Sequence, residues 1–95
     1  MANVQRGESK IVLDKERTIK FTLNTLIDVE DALGYSLAEM GDKVSIRAMR
    51  TLLTAGLRHE DAELTEEYVG SLITMENMQD VQEALGKAMG GSVKN

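Results

Sequence analysis

No cysteine, proline or tryptophan occurs in this chain of 95 residues, and its aromatics are Phe21, Tyr35 and Tyr68 alone. Without cysteine there are no disulfides, no thiol catalysis and none of the common thiolate zinc sites, a usage that fits a cytosolic protein. Without proline, the turns fall to Gly, Asn and Asp. With so few rings, the core must be built from Leu, Ile, Val, Met and Ala, which suits helix packing better than a large sandwich. One histidine is present. That residue, His59, lacks a cysteine or second histidine at ligand spacing, so it makes a poor metal ligand. No nucleophile–base constellation is visible, and no Gly-rich phosphate loop precedes a helix. Asp14-Lys15-Glu16 could open a calcium loop, but the residues that follow lack the required ligands and glycine. The expected chemistry is therefore non-enzymatic, with no catalytic residue, cofactor or metal.

Long apolar runs are also missing. No apolar stretch approaches the ~20 residues of a membrane span, and none near the N-terminus has signal-peptide character, so neither membrane insertion nor a signal peptide is expected. Hydrophobic residues make up 42% and charged residues 28%, ordinary values for one globular domain with one modest core. The net charge of −5 disfavours nucleic acid, whose dense phosphate charge a binder must offset. Lys10, Lys15, Arg17 and Lys20 cluster locally, as do Arg47 and Arg50; both groups read as solvated faces.

What is present alternates first with period two. Lys10 to Leu13 is a short β-type run, Asp14 to Arg17 a turn of about four residues, and Thr18 to Leu23 a strictly alternating run. Ile11 and Leu13 can share a buried face with Ile19 and Phe21 across a hairpin, leaving Lys10, Lys20 and Thr22 outside. A lone hairpin is marginal in water, so it must pack on helices or gain strands from a partner.

Helical periodicity follows. Leu23 to Leu33 forms the first helix, capped by Thr22 or Asn24 and stopped by Gly34. Tyr35 to Met40 is a short second helix with Ser36 as its cap and Leu37 and Met40 facing inward. Gly41 to Lys43 is a linker. Ser45 caps a helix from Ile46 to Leu57 whose apolar arc holds Ile46, Met49, Leu52, Leu53, Gly56 and Leu57. Gly56 in that arc either admits a close neighbour or marks a fraying end. Thr65 caps the next helix, with Leu64 and Val69 at hydrophobic-staple spacing and Tyr68, Val69, Leu72, Ile73 and Met75 on its apolar side. Asn77 caps a last helix, Met78 to Met89, which Gly90-Gly91 ends. The expected fold is a single α+β domain over residues 1–95, mostly helical, with an N-terminal hairpin packed on four or five short helices. Residues 1–9 and 91–95 are expected to be flexible tails.

Glu30 is the residue out of pattern. At 100° per residue, Leu23, Leu26, Ile27 and Leu33 share an arc, and Glu30 lands near its centre. A carboxylate there must find a cation, stay at the rim or be covered by a partner. Arg50 flanks the apolar face of the third helix and is the first candidate cation, with Arg47 second. Glu30, Arg47 and Arg50 are thus the candidate site residues, as an internal ion pair or as partner contacts. The six methionines fall mostly at core spacing; the competing reading is an adaptable binding surface.

The order of these features is similar to a known set. Arg6-Gly7-Glu8, the hairpin ending in Ile19-Lys20-Phe21-Thr22-Leu23, Leu26-Ile27-Asp28-Val29-Glu30-Asp31-Ala32-Leu33-Gly34, Ser36-Leu37, Leu52 to Leu57 and Leu64 to Gly70 resemble the tail assembly chaperones of gene transfer agents and siphophages. The resemblance covers roughly residues 6 to 75 and rests on order and spacing, with no single diagnostic motif. It implies a non-enzymatic protein of phage or prophage morphogenesis, acting in the bacterial cytoplasm, that coats the tape-measure protein and recruits tail tube subunits. It supplies no catalytic residues. The competing functions are a structural subunit or adaptor of the finished tail, and a small regulatory protein-binding module. Unpaired strand edges open a route to a homo-oligomer.

Overall fold

The computed structural model describes residues 8–40 and 44–89, with the side chain of Met40 excepted. The expected tail 91–95, the linker 41–43 and the Gly90-Gly91 stop lie outside the described residues. So do residues 1–7. Residues 8 and 9, expected in a flexible tail, belong instead to the first strand.

An antiparallel hairpin, β1 (Glu8–Val12) and β2 (Glu16–Lys20), is followed by α1 (Leu23–Leu33), α2 (Leu37–Met40), α3 (Ile46–Leu57), α4 (Glu66–Leu72) and α5 (Met78–Ala88). This is the mostly helical α+β fold expected from the periodicities. Its centre is α3, which packs against β2, α1, α4 and α5. Ala48, Met49, Leu52, Leu53 and Leu57 are buried along it, together with Thr51 and Thr54. The two threonines are satisfied locally: Thr54 Oγ1 donates to the Arg50 carbonyl (2.8 Å), and Thr51 Oγ1 to Glu66 Oε1 (3.2 Å).

The hairpin pairs Ser9 with Ile19 and Ile11 with Arg17. Ile11, Ile19 and Phe21 are buried and Leu13 partly so, as alternation requires. The same alternation turns Arg17 inward, where it is 5% exposed. It is not part of a solvated basic face, and the turn is correspondingly shorter than the expected Asp14 to Arg17. Gly56 is the seat of the hairpin on α3. A Cβ placed there would lie 2.7 Å from Ile19 Cγ2 and 3.2 Å from Phe21 Cζ, so its bare backbone admits a close neighbour rather than marking a frayed end.

Three helix starts use the side-chain oxygens that capping chemistry calls for. Thr22, rather than Asn24, accepts from the Thr25 amide, Ser45 from that of Ala48, and Thr65 from that of Tyr68. Asn77 departs from expectation. Its Oδ1 accepts from the Thr74 amide and its Nδ2 donates to the Leu72 carbonyl, so it clasps the α4–α5 turn and makes no side-chain cap. Leu64 and Val69 are both buried, in keeping with the staple spacing. Met75, expected on the apolar side of α4, is instead 86% exposed. Among the described residues, no helix is long and apolar enough to cross a membrane.

Candidate partner-binding surface

The first helix differs most from its projection. Val29 is its one buried residue, flanked by the partly buried Leu26 and Leu33. At 3.6 residues per turn, these three centre the packed stripe roughly 60° away from the arc expected from Leu23, Leu26, Ile27 and Leu33. Leu23 is 73% exposed and Ile27 46%. Glu30 therefore sits at the edge of the packed stripe, not at its middle.

That roll gives Glu30 a local task. Gly34, at φ +85°, stops α1 and sends its N–H to the Glu30 carbonyl (2.8 Å). The chain turns back, and Glu30 Oε2 accepts the amide of Leu37, the first residue of α2, at 2.8 Å. A carboxylate at a helix start satisfies an otherwise free donor. The cap of α2 is thus supplied from the preceding helix. We expect Glu30→Gln, which keeps the acceptor, to be nearly neutral in urea unfolding, and Glu30→Ala to cost about 1 kcal/mol. A loss of ~3 kcal/mol would instead signal a stranded buried cation.

The candidate cations lie elsewhere. Arg50 Nε is 3.2 Å from Glu66 Oε1, and its stem crosses α4 at Gly70, where a Cβ would be 3.0 Å from Arg50 Cδ. Arg50 therefore ties α3 to the start of α4. Arg47 is exposed. Among the described residues neither arginine pairs with Glu30, so of the alternatives for Glu30 the internal ion pair with Arg50 or Arg47 is not formed. Sequence spacing puts Arg50 on a suitable face but does not say that α4, rather than α1, covers it.

The charged network of the structure is at the hairpin tip, at residues that spacing alone does not single out. Arg17 grips Asp14 with both Nε (3.0 Å) and Nη2 (2.9 Å), and its Nη1 lies 4.0 Å from Glu60 Oε1. Tyr68, expected on the apolar side of α4, sends its hydroxyl to Asp14 Oδ2 (2.9 Å). The Arg17 hydrogen bonds, opposed by partial desolvation and aided by that of Tyr68, hold the Asp14 carboxyl well below the usual carboxylate range. The same carboxylate raises the Tyr68 hydroxyl above its ordinary value. Next to it, the Thr18 amide donates to Glu60 Oε2 (3.1 Å), and His59 Nε2 donates to the Thr18 carbonyl (2.7 Å). The one sequence signal for this network is the position of Arg17 in the inward phase of β2. The network locks the hairpin turn, the segment after α3 and α4 together. No buried polar side-chain atom is unpartnered among the described residues. Nor do the described residues gather three or more His, Asp or Glu side chains in a metal-holding group.

The concave feature of interest is a groove of about 310 Å³ between α3 and α5. Met49, Leu52 and Leu85 make its buried floor, while Val44 and Met89 stand exposed at its rim. Gln82 adds one polar group, and Gly86 lowers the α5 wall, since a Cβ there would meet nothing within 4 Å. The lining is thus mostly apolar, with two flexible thioethers and a single side-chain amide. Such a lining recognises apolar side chains and adapts to their shape. Comparison with protein-family models, with curated proteins and with solved structures finds no match to this chain.

Proposed function

We propose that this chain is a small protein-binding domain whose α3–α5 groove receives the apolar side chains of a partner helix. More specifically, we read it as a non-enzymatic tail assembly chaperone of phage or prophage, acting in the bacterial cytoplasm, that binds the tape-measure protein and recruits tail tube subunits. The observation that carries the reading is the groove itself. Its floor is continuous with the core, its rim exposes Val44 and Met89, and most of its lining is apolar. An amphipathic helix docks in such a groove through residues spaced three and four apart. A tape-measure helix presents apolar stripes of this kind before the tube encloses it. The order of sequence features shared with tail assembly chaperones supports the same reading, and a net charge of −5 would help keep a coated complex in solution.

The test is co-expression with the tape-measure protein of the same genome. The wild-type chain is expected to co-purify with that protein and to be absent from purified particles. Gly86→Leu fills the groove from its open wall while improving helix propensity by about 1 kcal/mol. It is expected to keep the fold and lose the partner. Recovery of the chain from mature particles would replace this reading with that of a tail adaptor. A failure to capture the tape-measure protein at all would favour a regulatory binding module.

A further inference from the structure

The two edges of the hairpin are treated differently by the rest of the molecule. On β2 the amide and carbonyl of Thr18 are taken by Glu60 and His59, so that edge is closed at its middle. This also sets the hydrogen-bonding phase. Thr18 lies opposite Lys10, and a residue whose backbone groups point away from its neighbour belongs to a non-hydrogen-bonded pair. The Leu13 amide donating to the Lys15 carbonyl (3.0 Å) across the turn shows the same phase independently. Glu8, Lys10 and Val12 therefore direct their N–H and C=O groups outward from the free edge of β1. Among the described residues, those of Lys10 meet no partner. The helix beneath does not cover this edge: α5 lies under the inner face, where Ser9 Oγ donates to the Ala84 carbonyl (2.8 Å).

We propose that the free edge of β1 pairs antiparallel with β1 of a second copy of this chain, in the register that centres Ser9 on Ser9. The order across the joined sheet is then β2–β1–β1–β2. The charges of the strand select this register. Pairing must match outward-pointing residues with each other, and a register that keeps at least three residues of each strand paired centres on Ser9, Lys10 or Ile11. Centring on Lys10 opposes two lysines, and centring on Ile11 sets Lys10 against the partner's Val12, with no opposite charges paired within the strands. Centring on Ser9 puts Glu8 opposite the partner's Lys10 at both ends of the two-fold, on the same outer face. Each of these pairs is of the type that exchanges both backbone hydrogen bonds. The helices of both copies then lie on one side of the joined sheet. The α3–α5 groove is not part of the contact, so this proposal stands or falls apart from the function proposed above.

Sedimentation velocity of the full chain over a concentration series tests it. The wild-type chain is expected to show a monomer–dimer equilibrium. Lys10→Glu sets Glu against the partner's Glu8 twice and is expected to raise the dimer dissociation constant by about tenfold. Glu8→Lys combined with Lys10→Glu restores opposite charges and is expected to return the constant to near the wild-type value. That double variant also replaces the Glu8–Lys20 ion pair, exposed and 4.0 Å long, with two exposed lysines across β1 and β2, a change that solvent screens and that costs the fold little. Lys10→Pro removes an outward N–H without touching the β1–β2 ladder and is expected to leave a folded monomer. A wild-type chain that is monomeric throughout overturns the proposal. So does a dimer unaffected by Lys10→Glu, or one weakened equally by the single and double charge changes.

Discussion

Gly56→Val is expected to lower the stability of the domain by about 3 kcal/mol, measured as a shift in the urea midpoint at unchanged m-value. The position lies on α3, the helix against which β2, α1, α4 and α5 all pack. Its missing side chain is where Ile19 and Phe21 come down from the hairpin, at 2.7 Å and 3.2 Å from the site of a Cβ. Ile19 is fully buried and branched at Cβ, so its methyl group has little freedom to move aside. Even Gly56→Ala, which improves helix propensity by about 1 kcal/mol, is expected to destabilise the fold by about 1 kcal/mol net, because overpacking outweighs that gain. An alanine variant more stable than wild type would show that the hairpin can retreat from α3. The seat of the hairpin would then be looser than these distances describe.

Arg17→Met is expected to cost about 2 kcal/mol, below the range for a fully buried ion pair because Asp14 keeps partial contact with water. The change keeps the apolar stem under the sheet but leaves the Asp14 and Glu60 carboxylates without the guanidinium between them. The pH dependence separates this from a simple packing loss. The pKa of Asp14 is lower in the folded chain than its ordinary unfolded value. The folded state therefore gains from the ionised carboxylate, fully so above the unfolded carboxylate range near pH 4. That contribution is lost progressively as the pH falls through and below that range. Stability measured from neutral pH downwards should decline more steeply in the wild type than in Asp14→Asn. Parallel pH profiles for the two proteins would remove Asp14 as the source of the acid sensitivity.

The hairpin tip also shows how far spacing can be read. Period-two alternation places Ile11, Ile19 and Phe21 inside, and by the same count it places Arg17 inside. The charge of Arg17 argues for a solvated face as long as no partner is visible. The partners come from Asp14 in the turn, itself held by Tyr68 of α4, and from Glu60 after α3. Tyr68 and Glu60 lie far along the chain, and nothing local announces them. Glu30 departs from its projected place for a related reason. The projection turns every apolar residue of α1 inward, whereas a helix on the outside of a small core buries only a stripe. The exposed Leu23 and Ile27 are the remainder.

Local signals determine a great deal of this protein. The strand alternation, the Thr22, Ser45 and Thr65 caps, the left-handed stop at Gly34 and the span of α3 all follow from interactions within a few residues. Backbone sterics and short side-chain hydrogen bonds operate at that range whatever the rest of the chain does. Only the tertiary structure decided which stripe of α1 is packed, that Glu30 caps α2 while Arg50 holds Glu66, that Asn77 clasps a turn, and that β2 is closed at Thr18 while Lys10 on β1 meets no backbone partner among the described residues. It also created the α3–α5 groove from two helices that are far apart in the chain. Each of these depends on which distant surface arrives first at a given side chain, a competition set by packing the whole core and not by any spacing along the chain.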